Sequence, residues 1–255
     1  TWADVNLTHF NASHSGTVTA PLTDADQRIT RGMTSFALEN RYEKTSGTLS
    51  FFYNWGRHKI NDGYQAKAGE APLDYRFHSS DQMLGVSWFQ SAQFFEGNRT
   101  TIGLDWFHFG GQAWNKFLDG KRVDIVDKHQ NEIAGYVDFR QMLSSWMTFN
   151  AGFRVDNHDQ AGTECIPQAG LAFHLPKDAE LKLSASRGFR YPIIREMFMW
   201  GVANADLEAE SIWNYELAFS QKLMDNQLKY GVNVFHLHGD NMIAVAPVNG
   251  KMMNS

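Results

Sequence analysis

His236 and His238 lie two residues apart in a run that alternates like a strand, so both side chains share one face, with Asp240 close behind. Imidazoles at that spacing can hold a zinc or copper ion. Neither comes with a third ligand nearby, and two polar residues at a strand end is the plainer reading, so no metal site is assigned. Asp156-Asn157-His158-Asp159 leads from a strand end into a short loop. It could hold a cation, or pair His158 with Asp156 or Asp159 for acid-base work, but Asn and Asp also fill turns for conformational reasons alone. Met197, Met199, Met252 and Met253 carry the soft thioether that copper accepts, although packing is the commoner use of Met. Trp55, Trp88 and Trp106 could stack on sugar rings. Cys165 is the single cysteine, which excludes an internal disulfide and a Cys-rich metal cluster. No Gly-rich phosphate loop, nucleophile elbow or zinc-protease motif is present.

The elements that carry these residues announce themselves by period-two alternation. Met147, Phe149, Ala151, Phe153 and Val155 face one way, and Thr148, Asn150, Gly152 and Arg154 the other. Trp213, Tyr215, Leu217 and Phe219 alternate with Asn214, Glu216, Ala218 and Ser220 in the same manner. Leu49, Phe51, Tyr53 and Trp55 share a face, as do Leu84, Val86 and Trp88, and Leu181, Leu183 and Ala185. About twelve strands follow, at 2–11, 31–43, 48–59, 74–94, 99–110, 131–141, 145–156, 165–175, 179–190, 211–222, 227–237 and 240–247. Each is near the ~10 residues that a tilted membrane strand needs.

Short and long connections mostly alternate. Residues 44–47, 96–98, 144–145, 176–178 and 225–226 are tight turns, while 12–30, 60–73, 111–130 and 191–210 are long. An outer-membrane up-and-down barrel has that asymmetry. Aromatics gather near strand ends, as interfacial girdles do. The composition agrees: 14% aromatic residues and 21 glycines suit many strands joined by turns, and the net charge of −5 forms no basic stripe for nucleic acid. No apolar run is long enough for a membrane-spanning helix, which excludes nothing for a barrel.

Residues 184–238 narrow the field. Gly188, Phe189, Arg190 and Pro192 end one strand, and Arg195-Glu196-Met197 follow in a segment able to form one or two helical turns. Then come Asn204, Asp206, Leu207, Glu208, Ala209 and Glu210, and a strand opening Trp213-Asn214-Tyr215-Glu216. In this order the motifs closely resemble the barrel domain of TonB-dependent receptors, in a style nearest to Bacteroides-like bacteria. Ala205 and Ala209 depart from the family, which usually has proline there, and Glu208 stands where lysine is common.

The resemblance implies an all-β fold: an antiparallel up-and-down transmembrane β-barrel, present in part. Residues 1–255 would be a piece of the barrel domain, with the plug domain and C-terminal strands absent. Family barrels have about 22 strands, so about twelve cannot close, and an open, curved sheet is expected in place of a small closed barrel or a sandwich. The implied function is uptake of a scarce small molecule across the outer membrane of a Gram-negative bacterium. An iron complex, siderophore or haem, comes first, and cobalamin, another metal or a glycan are alternatives. TonB, with ExbB and ExbD, would drive it through the plug. Outer-membrane lipid is the implied surrounding, and neither a resident cofactor nor an enzymatic activity is implied. Candidate ligand contacts in the loops are His158, Arg190, Trp200 and His238. An outer-membrane protease or lipase barrel and a soluble sugar-binding β module are the competing classes. The first lacks a matching serine motif, and against the second the apolar faces decide, since lipid-facing aromatics partition into detergent whereas a soluble module stays monomeric without it.

Overall fold

The computed structural model describes residues 1–13, 25–62, 74–224, 227–247 and 250–255. Eleven strands form one antiparallel sheet: β1 (Trp2–Ser13), β2 (Ala25–Arg41), β3 (Thr45–Asp62), β4 (Tyr75–Ala92), β5 (Asn98–Phe117), β6 (Arg122–Ser144), β7 (Met147–His158), β8 (Gly162–Leu175), β9 (Ala179–Arg190), β10 (Glu210–Leu223) and β11 (Leu228–Asp240). Strand order in space is strand order in sequence. Among the described residues β1 and β11 each have a single neighbour in this sheet, so it is open.

Register carries the alternation across the whole sheet. Phe51 lies opposite Val86, Val86 opposite Trp106, and Trp106 opposite Ile133. Further along, Phe149 meets Leu171, Leu171 meets Leu183, and Leu183 meets Leu217. One face is therefore apolar from strand to strand and the other polar. The apolar face packs on nothing: Leu104 and Ile133 are each 57% exposed. Among the described residues the buried apolar set is mostly alanine, with Val126, Met197 and Leu207 the larger members. A two-sheet sandwich would bury its large residues between layers, which this sheet does not do.

One long connection and one strand differ from the sequence expectation. The stretch 111–130, expected as a loop, continues β5 to Phe117 and resumes β6 at Arg122, leaving only residues 118–121 as a turn. Gly110-Gly111 resembles a loop signal but serves close strand contact. A Cβ on Gly110 would overlap the Lys128 carbonyl, and one on Gly111 the Ser80 carbonyl. The strands continue beyond them with polar and apolar residues mixed on both faces, a pattern hydrophobicity does not mark, and a bulge at Ala113/Trp114 absorbs one residue. Gly111→Val is expected to lower stability by roughly 1–3 kcal/mol through this backbone overlap. Urea unfolding of the full-length protein in lipid vesicles measures it, and an unchanged midpoint would refute it.

The second difference is at 240–247, expected as a twelfth wall strand. β11 already runs to Asp240, and Ile243–Val245 (β12) pairs with Met252–Asn254 (β13) as a separate hairpin. The expected turn at Asp225-Asn226 lies outside the described residues, as does most of the expected connections 12–30 and 60–73.

Upper β8 and β9 part company. Their pairing stops at Gln168 opposite Ser186, while β8 continues along β7 to Gly162 and β9 along β10 to Arg190. Pro167 has no N–H to give to a ladder. Arg187 bridges the split, donating to Glu164 Oε2 at 2.6 Å and to the Cys165 carbonyl at 2.8 Å.

Candidate functional site

The segment between β9 and β10 folds across the polar face of the sheet. Its single helix, α1 (Ile194–Phe198), supplies the one or two helical turns expected after Pro192. Pro192 is buried and stands just beyond the end of β9, where it has no N–H to give to the ladder. The chain is then pinned at four places along the wall. The Tyr191 ring lies 4.7 Å from His158 on β7. Met197, 2% exposed, brings its sulfur to 3.8 Å from Gln130 Nε2 on β6. The Lys128 ammonium sits 4.9 Å over the Phe198 ring. Trp200 lies 6.3 Å from Phe77 on β4, with the Arg195 guanidinium 5.0 Å from the Trp200 ring centroid. Trp200 has φ +66°, a left-handed geometry that lets the chain reverse into Gly201.

A latch of three charged residues holds the two ends of this segment. Arg190, the last residue of β9, donates through Nε to Glu210 Oε2 at 2.6 Å and through Nη1 to Glu196 Oε2 at 2.9 Å. Glu196 also accepts from the Ile193 N–H at 3.0 Å, which ties the start of α1. Glu210, the first residue of β10, accepts at its other oxygen from the Ile243 N–H at 2.6 Å. Both residues stand beyond the ~10 positions, counted from the short turns, that cross a membrane. Hydrogen bonding from Arg190 holds the Glu210 carboxyl below its ordinary range, and the same bonds push the Arg190 guanidinium further up.

The hairpin of β12 and β13 braces the segment from behind. Asn204 donates to the Met252 carbonyl at 3.1 Å, and the Met252 N–H donates to Val202 at 2.7 Å. Asn254 exchanges two 3.0 Å bonds with the backbone of Glu208. Asn204 Oδ1 also accepts from the Asp206 N–H at 3.0 Å, a local turn that leaves the Asp206 carboxylate exposed. Leu207 and Ala209 are buried at 2% and 3% exposure. The small side chains of Ala205 and Ala209 are compatible with this bracing.

Beneath the segment lies a charge cluster on the wall. Arg154 donates to Asp105 at 2.5 Å and to Asp156 at 2.8 Å, and Glu132 sits against Asp156. Asp156 has no exposed surface. Three carboxylates thus surround one guanidinium. Above them the Tyr191 hydroxyl donates to the carbonyls of Asp156 and Gly162, at 3.1 and 3.2 Å. Burial, then the Asp156, Glu132 and Glu164 carboxylates, push the Tyr191 phenol up, so it stays a neutral donor. Segment and wall enclose a cleft of about 760 Å³ lined by residues including Asp81, Phe109, His158, Arg190, Ile194 and Met199.

The expected site residues therefore fall in three places. Arg190, Glu196 and Glu210 meet in the latch, and Gly188, Phe189 and Pro192 shape the turn leading to it. Gly188 has room that a Cβ would fill against Ile212 Cγ2 at 3.3 Å, and Phe189 stands edge-on to Tyr191 at 4.9 Å. Trp200, 49% exposed, opens to solvent beside the cleft, whereas His158 is 2% exposed and accepts from the Gln160 and Ala161 N–H groups, so it is held inside the wall. Asn214 and Glu216 lie on the polar face opposite Ser186 and Ser184, while Trp213 and Tyr215 lie on the apolar face. His236 and His238 stand opposite Tyr215 and Trp213, on that apolar face and away from the cleft, and His238 pairs with Asp240 at 3.3 Å. No group of three His, Cys, Asp or Glu among the described residues is placed to hold a metal ion. Sequence reasoning did not reach Asp105, Gln130 or Phe109. Asp105 is 49 positions from Arg154, and only the strand register brings them together.

Similar folds place this wall in context. A mutant of the ferric enterobactin receptor PfeA from Pseudomonas aeruginosa superimposes with TM-score 0.75 and 16% identity, over 91% of this chain and 40% of that one. The alcaligin outer membrane receptor FauA from Bordetella pertussis does so with TM-score 0.66 and 14% identity, over 99% and 44%. A copper transporter, OprC, gives TM-score 0.73 and 12% identity, over 91% and 42%. The chain thus spans less than half the length of these proteins, and at such identities the likeness is one of fold. No curated protein matches it by sequence. The family model of the TonB dependent receptor-like β-barrel matches residues 1–254, and the chain belongs to that family.

Proposed function

We propose that this chain is part of the barrel wall, with one outer loop, of an outer-membrane receptor that takes up a scarce small ligand and is not an enzyme. The family match over residues 1–254 carries this reading. The exposed apolar face supports a lipid surrounding in the outer membrane of a Gram-negative bacterium, and the polar face a lumen. The uptake would be energised by TonB with ExbB and ExbD, acting on a plug that sits against the polar wall. An iron complex is the first ligand proposed, in line with the enterobactin and alcaligin receptors of like fold. Its contacts would come from Trp200 and the cleft beneath it, with Arg190 holding the loop in place.

The test uses the full-length protein in its own outer membrane. Cells starved of iron should take up labelled ferric siderophore or haem only when the protein and TonB are both present. Uptake of cobalamin, copper or a glycan in place of iron would keep the receptor and replace the ligand, whereas no TonB-dependent uptake of any kind would overturn the proposal. Trp200→Ala is expected to weaken binding of the transported ligand about five- to tenfold with the amount of folded protein unchanged. Equilibrium binding to whole cells reads this directly, and unaltered affinity would remove Trp200 from the contact set.

A further inference from the structure

The floor of the cleft holds an acceptor without a donor. Asp156 on β7 has no exposed surface, and its Oδ1 accepts from no donor among the described residues. Its other oxygen is fully engaged: Arg154 donates to Oδ2 through Nε at 3.0 Å and through Nη2 at 2.8 Å. A buried carboxylate oxygen left bare is costly, and native structures rarely contain one. The register supplies a neighbour. Ala134 on β6 lies opposite Asp156, and Glu132, two residues along the same face, lies opposite His158. Glu132 and Asp156 are therefore diagonal neighbours on adjacent strands, a separation that a long side chain spans. Ala134 between them is buried and carries only a methyl, so the Glu132 carboxyl reaches over it to the Asp156 carboxyl.

The other titratable and charged groups that face this pair are already spent. From β5, Asp105 accepts from Arg154 Nη1 at 2.5 Å. On β6, the Tyr136 ring lies 5.7 Å from the Arg154 guanidinium and gives no bond to the pair. On β7, His158 accepts at Nδ1 from the Gln160 and Ala161 N–H groups, and Asp159 beyond it accepts from the Asn131 N–H at 2.8 Å. From β8, Glu164 is held by Arg187 at 2.6 Å. Above, the Tyr191 hydroxyl is given to two backbone carbonyls. The donor that Asp156 Oδ1 lacks is then a carboxyl proton, with Glu132 O–H bonding Oδ1 while Arg154 holds Oδ2. Charge argues the same way, since two carboxylates in contact do not both stay ionised at low cost.

We infer that Glu132 and Asp156 hold one proton between them, which makes the cleft floor a proton-binding site of the wall. Arg154 then answers one of the two charges that remain with Asp105, and the floor carries one net negative charge in place of two. Glu132 borders the cleft, so the proton exchanges with water there. Glu132 also stands beyond the ~10 positions, counted from the short turn after β6, that cross a membrane. Burial and then Asp156 push its carboxyl from the ordinary 4.5 up to about 7. Between those values the folded wall binds a proton that the unfolded chain does not. Stability therefore falls as pH rises through that window and levels off above it.

The test compares the full-length protein with Glu132→Gln and Asp156→Asn, each checked for outer-membrane placement and for folding by heat-modifiable gel migration. Infrared spectra of the purified, folded proteins read the carbonyl stretch of a protonated carboxyl directly. At pH 6 the parent should show one such band, shifted by deuterium exchange, which fades above about pH 7. Both variants should lack it, because in each an amide N–H takes the place of the shared proton. Urea unfolding in vesicles gives the second readout. Relative to Glu132→Gln, the parent's folding equilibrium constant should fall roughly tenfold per pH unit between about pH 5 and about pH 6.5. No band at pH 6, or equal slopes in parent and Glu132→Gln, overturns the inference in favour of an ionised pair bridged by water. A band that survives in Asp156→Asn overturns the sharing, because Glu132 is then neutral on its own. A protein missing from the outer membrane fails the receptor proposal, while the band and the slope still decide the proton pair.

Discussion

Arg154→Met is expected to destabilise the wall by about 3–5 kcal/mol, because it leaves buried carboxylates without their counter-ion. Asp156 has no exposed surface, and the side chain of Asp105 is 14% exposed. Both are bonded to Arg154, and Glu132 presses on the same space. Methionine restores the volume of the Arg stem and none of the charge. The cluster must then protonate, take in water or pull apart. Measured as urea unfolding of the full-length protein in vesicles at pH 7, the variant should lose its folded form at a clearly lower midpoint. Adding Asp105→Asn and Asp156→Asn to Arg154→Met should recover most of that loss, since neutral amides can bond to one another and carry no charge to bury. An Arg154→Met protein as stable as its parent would mean that the carboxylates are already neutralised by another group.

That cluster also marks the limit of what the sequence discloses. Wall strands are legible because their apolar residues recur with period two. Leu49 to Trp55 and Met147 to Val155 read as strands with one apolar and one polar face, and the sheet places them so. The rule is silent where the apolar demand ends. Residues 111–117 and 122–130 mix polar and apolar side chains without a sustained period-two apolar face, and Gly110-Gly111 stands at their start, so they resemble a loop by hydrophobicity although they form a hairpin. Ile243 to Val245 shows the converse, an apolar run that pairs with Met252 to Asn254 and braces a loop in place of extending the wall. In the site, Arg190, Glu196 and Glu210 were legible through a family motif spanning twenty-one positions. Asp105 and Gln130 were not, because Asp105 meets Arg154 only through register across the three strands β5 to β7, and Gln130 meets Met197 only once a loop folds inward.

The latch yields the second large effect, and its pH dependence has a sign. In the parent, Arg190 lowers the Glu210 carboxyl, so the bond contributes fully above the ordinary carboxylate range and is lost only as pH falls through the lowered value. The loop should therefore stay docked from pH 8 to about pH 5 and loosen below about pH 4. In Arg190→Met, Glu196 and Glu210 lose the cation that both bind, with side chains only 17% and 13% exposed. Their repulsion peaks at neutral pH and fades as either one takes a proton, so the variant loop should be loosest at pH 7–8 and tighten toward about pH 4, the opposite slope. Hydrogen exchange of peptides covering residues 191–209 in the folded full-length protein, corrected for intrinsic rates, reads both slopes. At pH 8, trypsin should also cut after Arg195 at least tenfold faster in the variant, and ligand uptake should fall about tenfold or more while the wall stays folded. Arg190→Lys keeps a charge but cannot fork to two carboxylates, so it should lie between. If Arg190→Met shows the parental pH slope and parental uptake, the three residues are a surface pairing, and the loop is held by Met197, Tyr191 and the brace of β12 and β13 alone.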